Sequence, residues 1–281
     1  MPRLLHSVLF LLLCAATCVS ANNPGDTRIA KWQGDKKAVF LLMFDDSWPS
    51  HFQVAVPELL KRQMTGTFYI NPAKGEYKAF KQQWEGEKAL WKQGMVYGNH
   101  TMSHQGVKDM EDADREIGGC TEYIKTIIPG NNPRLISWAQ PGVGKGKWNI
   151  TGEQLSTLLA KYQLVDRPTF RDHGAVYHMQ TAEQMLALAD KAITKGEMEY
   201  VIIHGLERRE IKWGYQDFWP LNLDVYRELL DGLAERQSNG DLWITDHISY
   251  HQYLTERASA KVNVIKADDH GIELQLSCDA D

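Results

Sequence analysis

The sequence predicts an α/β fold, a distorted (β/α) barrel of about seven parallel strands with a short C-terminal β-hairpin tail. Three observations carry that prediction. Short apolar runs alternate with longer amphipathic segments along most of the chain. Such alternation implies a parallel sheet whose strands are joined by helices. Polar residues of unusual type gather where the apolar runs end, and parallel α/β folds place their sites at the carboxyl ends of strands. The last twenty residues break the pattern and read as two alternating runs around "DDHG", a hairpin signature.

The elements follow in order. Met1 to Arg3 are positively charged, Leu4 to Ala16 is apolar apart from His6 and Ser7, and small residues precede the polar "NNPGD". Charged start, apolar middle and small-residue exit are the parts of a secretory signal peptide, here over residues 1–21 with cleavage after Ala21. The run is short for a membrane span, so no stable membrane insertion is expected after its removal. The segments 38–44, 66–70, 94–100, 134–140, 200–204 and 242–245 have the length and composition of buried strands. Helix candidates lie between them at 54–63, 76–93, 109–127, 151–161, 181–195 and 222–237. The segment at 181 opens "TAEQ", which predicts a capping box between Thr181 and Gln184. The barrel is therefore expected over 22–258 and the tail over 259–281.

Composition excludes some classes. The 281 residues carry a net charge of −5, so the basic footprint of a nucleic-acid-binding protein is missing. Nine tryptophans and eleven tyrosines suit either a well-filled core or a surface that stacks on sugar rings. Beyond the signal segment only Cys120 and Cys278 remain, without a C-x-x-C pair or a cysteine-based zinc pattern. They read equally as a disulfide or as two independent thiols.

The strand ends deliver Asp45-Asp46, His100, Gln140-Pro141 and His204 to one expected rim. The stretch "GNHTMSH" puts His100 and His104 four apart, but ten histidines in 281 residues give such a pair by chance roughly one time in three. The aspartates sharpen the reading. Adjacent strand side chains point in opposite directions, so one carboxylate can enter a metal site while the other stays free. Asp46, His100 and His104 would supply three metal ligands and leave a position open for water. Asp45 would then be the general base, and His204 the general acid that protonates the leaving group.

"LLMFDDSWPS", "NHTMSH", "AQPGVG" and "YVIIHG" occur in the order and at about the separation of the motifs of the polysaccharide deacetylase family, the NodB-homology enzymes of carbohydrate esterase family 4. The resemblance covers roughly residues 36 to 257. It implies a distorted barrel and metal-dependent removal of N- or O-acetyl groups from a polysaccharide. It assigns Asp45 as base, Asp46, His100 and His104 as ligands of one divalent transition metal (zinc first, cobalt second), His204 as acid and Ile202 as lining for the acetyl methyl. The substrate partner it implies is an acetylated polysaccharide or oligosaccharide. The sequence also departs from the family. Ser47 stands where the first motif has glycine, and Gln140 precedes Pro141 where the third motif has arginine, whose charge orients the catalytic aspartate. Glutamine can hydrogen-bond a carboxylate but brings no charge to lower its pKa. Arg167, in "LVDRPTF", is the candidate replacement by position.

Weaker signals surround these. "GVGKGK" at 142–147 lacks the residues of a phosphate loop and reads as a flexible rim loop. "WGYQDFWP" at 213–220 suits either core packing or a lip over the site. "NHT" and "NIT" are glycosylation sequons by pattern, the first containing His100. No Gly-x-Ser-x-Gly is present, which argues against a serine esterase. Two functions stay open: a secreted or periplasmic metal-dependent deacetylase, and a catalytically weakened glycan-binding protein on the same barrel.

Overall fold

The computed structural model describes residues 26–130, 134–169 and 179–279. The expected signal peptide lies outside the described residues. Seven strands form one parallel sheet: β1 (Ala38–Asp45), β2 (Thr67–Ile70), β3 (Val96–Asn99), β4 (Ile136–Trp138), β5 (Leu164–Asp166), β6 (Met198–Ile203) and β7 (Leu242–Thr245). The order is β5-β4-β3-β2-β1-β6. Strand β1 is the axis of the sheet. Val39–Phe44 pairs with β6 on one edge, while the other edge is shared, Ala38–Leu41 pairing with β7 and Met43–Asp45 with β2. Among the described residues β5 and β6 do not pair, so the sheet curls into a half-barrel with an open seam.

The helices are α1 (Val56–Lys61), α2 (Gly75–Ala79), α3 (Lys81–Glu85), α4 (Met110–Ala113), α5 (Gly119–Ile127), α6 (Gly152–Lys161), α7 (Ala182–Lys195), α8 (Leu223–Ser238) and α9 (His247–Ser259). The expected single helix over 76–93 is instead α2, α3 and a 3-10 turn at Leu90–Gln93, because the chain leaves helical geometry at Phe80 and again at Gly86. One wide turn, Asp114–Gly118, joins α4 to α5. The capping box on α7 is present, with Thr181 Oγ1 accepting from the Gln184 N–H and Gln184 Oε1 from the Thr181 N–H. Strand β5 and helix α9 carry too little periodicity to be read from sequence, β5 being three residues long.

Alternation along the strands sorts side chains between two cores. Phe40, Leu42 and Phe44 of β1 pack outward against the helices with Phe68, Val201 and Ile203. Val39, Leu41 and Met43 point inward, where they meet Tyr69, Ala139, Tyr200, Ile202 and Trp32, and Tyr250 and Leu254 of α9 lie against this inner cluster. The inward series of β1 continues to Asp45, and that of β6 continues through Tyr200 and Ile202 to His204. Two of the expected site residues thus reach the concave side through strand alternation alone.

The tail forms the expected antiparallel hairpin, β8 (Lys261–Asp268) with β9 (Gly271–Ser277). Cys120 is buried, Cys278 is exposed, and both are free thiols. Among the described residues no helix is long and apolar enough to cross a membrane.

Candidate metal centre

At the carboxyl ends of the strands a cleft of about 540 Å³ opens over the sheet. Asp45, Asp46, His100, His104, Gln140, Pro141, Arg167 and His204 all line it. Residues from five segments of the chain therefore converge, as the strand-end reading expects. Ile202 does not line the cleft; it is fully buried in the inner cluster, two residues before His204.

The turns that present these side chains are unusual. Asp46 (φ 80°), Ser47 (φ 57°), Thr101 (φ 65°) and His104 (φ 61°) all occupy the left-handed region. Such a conformation in a non-glycine residue costs of order 1–3 kcal/mol and persists only where neighbours over-determine it. Here they do. Ser47 Oγ accepts from the Asn71 N–H at 2.9 Å, Asn99 Oδ1 accepts from the Thr101 N–H at 2.9 Å, and Thr101 Oγ1 accepts from the His104 N–H at 3.1 Å. Glu116 takes both the N–H and the hydroxyl of Ser103 at 2.8 Å. Asn71 Nδ2 donates to the carbonyls of His100 and Thr101. Asn71 and Glu116 escaped sequence reading because their partners lie 13 or more residues away along the chain. Asn99 is fully buried and its amide donates to Ile117 O and Thr121 Oγ1, so the "NHT" sequon has no room for a glycan.

Asp46 Oδ1 lies 3.0 Å from His104 Nε2 and 3.4 Å from His100 Nε2. Two ligand atoms on a tetrahedral zinc, each at about 2.0–2.1 Å, stand about 3.3 Å apart, so these separations suit a shared ion. One ligand atom from each of the three residues lies within 4.8 Å of the others. Asp46 Oδ1 is buried and has no aligned hydrogen-bond partner. The His100 Nδ1–H points at Ala139 O at 2.8 Å, which fixes the tautomer and leaves the Nε2 lone pair toward the site. Burial pushes the Asp46 carboxyl up, but the imidazoles of His100 and His104 and the ammonium of Lys74 outweigh it and hold the group well below the ordinary carboxylate range. Lys74 reaches Asp46 O at 3.3 Å while lying over the Trp48 ring at 4.2 Å. The donor set fits a divalent transition metal.

Asp45 stands next to this centre with its side chain buried. Arg167 Nη1 donates to its Oδ1 at 2.6 Å and Nη2 to its Oδ2 at 2.8 Å, a bidentate pair. Burial pushes the Asp45 pKa up, and the Arg167 guanidinium, with the neighbouring imidazoles of His100 and His204, more than reverses that, so the carboxyl stays ionised. Arg167 is itself only 8% exposed, and its N–H is tied to Trp138 O at 3.0 Å. Gln140, by contrast, is exposed at the cleft wall, and Arg167 takes both oxygens of Asp45. The structure therefore puts the guanidinium just past the end of β5 rather than at the third-motif position.

His204 closes the other side. Burial lowers its pKa, and the neighbouring Asp45 and Asp46 offset this only in part. Phe218 and Trp219 meet its ring edge-on at 5.9 and 5.3 Å. Their loop is pinned where Asp217 accepts from the Ser50 N–H at 2.8 Å and from Arg208 Nη2 at 2.7 Å. Phe218 and Trp219 line the cleft, so this part of the 213–220 aromatic stretch forms a lip. His51 donates from Nε2 to the His204 carbonyl at 2.6 Å, a support that sequence reading missed.

His51 and His247 are buried and uncharged, with burial pulling both from 6.5 to about 4. As pH falls through 6.5 the unfolded chain takes up these two protons before the folded one does. Stability is therefore fully present above 6.5 and is lost progressively toward pH 4. At about 1.4 kcal/mol per pKa unit the loss is of order 3 kcal/mol for each histidine. Urea midpoints at pH 7.0, 5.5 and 4.5 should fall accordingly, and a flat series would contradict the neutral buried state.

A family model described as polysaccharide deacetylase matches residues 33–153. No curated protein matches the chain. Among solved structures it is similar to the peptidoglycan deacetylase PdaC from Bacillus subtilis, at 14% identity over 77% of this chain and 91% of that one, with a TM-score of 0.50. It is also similar to a family 4 carbohydrate esterase from Streptomyces lividans, at 17% identity over 73% and 90% of the two chains and a TM-score of 0.47. A third similar structure is BA3943 from Bacillus anthracis, described as a CE4 family pseudoenzyme, at 14% identity over 76% and 65% and a TM-score of 0.49. The match over residues 33–153 takes in Asp45, Asp46, His100 and His104, and over that stretch the chain is similar to the polysaccharide deacetylase family.

Proposed function

We propose that this protein is a metal-dependent deacetylase that hydrolyses N- or O-acetyl groups on a glycan. The observation that carries the reading is the bidentate Arg167–Asp45 pair beside a convergent Asp46, His100, His104 set. A divalent transition metal, zinc before cobalt, would be held by Asp46, His100 and His104 and would supply Lewis acidity to the acyl oxygen and to the attacking water. Asp45, kept ionised by Arg167, accepts the proton of that water. His204 gives a proton to the departing amine or alkoxide, so that water and the acetylated sugar become acetate and the free sugar group. Because burial keeps His204 neutral near pH 7, it must take up a proton before it can donate one. Phe218 and Trp219 offer apolar faces on which a sugar ring can stack. The amino-terminal signal pattern supports a secreted or periplasmic location.

The glycan-binding alternative drew on glutamine in place of the third-motif arginine. Arg167 on Asp45 answers that gap, which favours turnover. Acetate release from a panel of N- and O-acetylated oligosaccharides by zinc- or cobalt-loaded protein tests the reading. Asp45→Asn should lower the rate by roughly 10²–10⁴-fold while metal content stays at the wild-type level. Loaded wild-type protein that binds these glycans and releases no acetate would leave the binding protein as the better account.

A further inference from the structure

Beneath the Arg167–Asp45 pair lies a buried polar chain that the proposed reaction does not use. The face of Tyr69 carries the Arg167 guanidinium, with Cζ 4.6 Å from the ring centroid. The Tyr69 hydroxyl is 2.7 Å from Ser137 Oγ, and Ser137 Oγ is 2.7 Å from His247 Nδ1. The hydroxyl also reaches Met43 Sδ at 3.4 Å. Tyr69 and Ser137 are fully buried and His247 is 3% exposed, so the chain runs through the interior from the first turn of α9 to the floor of the cleft.

The neighbouring backbone makes room for it. A Cβ at Gly98 would stand 2.5 Å from Tyr69 Cδ1, so only glycine lets this ring lie flat against β3. An apolar core would be served by any large ring here. Three hydrogen-bonding side chains in a row, from β2, β4 and α9, instead fix one rotation of Tyr69. A cation over a desolvated aromatic face is attracted by the ring quadrupole and held in plane. Arg167 needs that constraint, because both Nη atoms must face Asp45 at once and the residue follows a strand only three residues long.

We propose that Tyr69, anchored through Ser137 to His247, is a positioning residue that holds the Arg167 guanidinium in the plane where it grips both oxygens of Asp45. Its kinetic consequence rests on the deacetylase reading, whereas its structural consequence does not. The test therefore has two readouts on the full chain. The first is the arginine Nη–H signals in NMR spectra, with the Arg167 set assigned by its loss in Arg167→Gln. A pinned guanidinium rotates slowly and gives resolved signals. They should broaden in part in Tyr69→Phe, which keeps the ring but loses the anchor, and broaden away in Tyr69→Met, which removes both.

The second readout is acetate release. Tyr69→Met should lower kcat about tenfold or more with KM within about twofold, Tyr69→Phe should recover only part of the loss, and Tyr69→Met should cost nothing further in the Arg167→Gln background. Sharp Arg167 signals in a folded Tyr69→Met protein would overturn the proposal, as would an equal kcat loss in the Arg167→Gln background. Should Tyr69→Met not fold, Ser137→Ala decides: it must broaden the Arg167 signals, and unchanged signals there overturn the anchor. Wild-type protein that shows the signals but releases no acetate would count against the deacetylase reading and leave the positioning role standing.

Discussion

Arg167→Ala is expected to destabilise the protein by about 3–5 kcal/mol, the cost of leaving one partner of a buried ion pair uncompensated. Asp45 is 2% exposed, and Arg167 supplies hydrogen bonds to both of its oxygens. Without the guanidinium the carboxylate must stay charged in a poor solvent or take up a proton. Urea denaturation of metal-free protein measures the loss directly. The double variant Arg167→Ala with Asp45→Ala should regain much of it, since the stranded charge is then gone. Metal-loaded protein should lose less, because a cation beside Asp46 partly replaces the missing charge. A cost below about 1 kcal/mol in the metal-free single variant would place the pair among exposed ion pairs, against its observed burial.

His100→Ala is expected to weaken zinc binding at least about 100-fold, since loss of a direct ligand should exceed the 10–100-fold cost of losing its supporting partners. Wild-type protein incubated with zinc and dialysed should retain about one ion per chain by elemental analysis, as a single three-residue ligand set implies. His100→Ala should retain almost none, and Asp45→Asn should match wild type, because both Asp45 oxygens are held by Arg167 and the three clustered ligand atoms come from Asp46, His100 and His104. Wild-type stoichiometry and affinity in His100→Ala would remove the basis for the metal centre.

These two residues also show how far the sequence can be read. The histidine pair and the two aspartates announce themselves through motif order, and their place at strand ends follows from apolar runs that stop at Phe44 and Asn99. Arg167 was legible only by position, as the candidate replacement for the third-motif arginine. No local pattern says that its side chain crosses the sheet to Asp45, 122 residues earlier. The same holds for the inner chain of Tyr69, Ser137 and His247. Each is an ordinary residue in its own segment, and α9, which delivers His247, is polar enough along its length to hide its helical period.

The sequence by itself determined the alternating α/β architecture, the hairpin tail and the identity of the carboxylates and imidazoles at the rim, because strand and helix periods and short-range motifs are local properties of the chain. Tertiary structure alone decided that the sheet stays open between β5 and β6, that β1 shares one edge between β7 and β2, and that Arg167, just past β5, grips both oxygens of Asp45 while Gln140 stays at the wall. It also decided the left-handed backbone at Asp46, Ser47, Thr101 and His104. Those outcomes depend on contacts between residues far apart in sequence, where burial removes water as a competing partner and leaves each buried charge or donor only the groups that packing brings within reach.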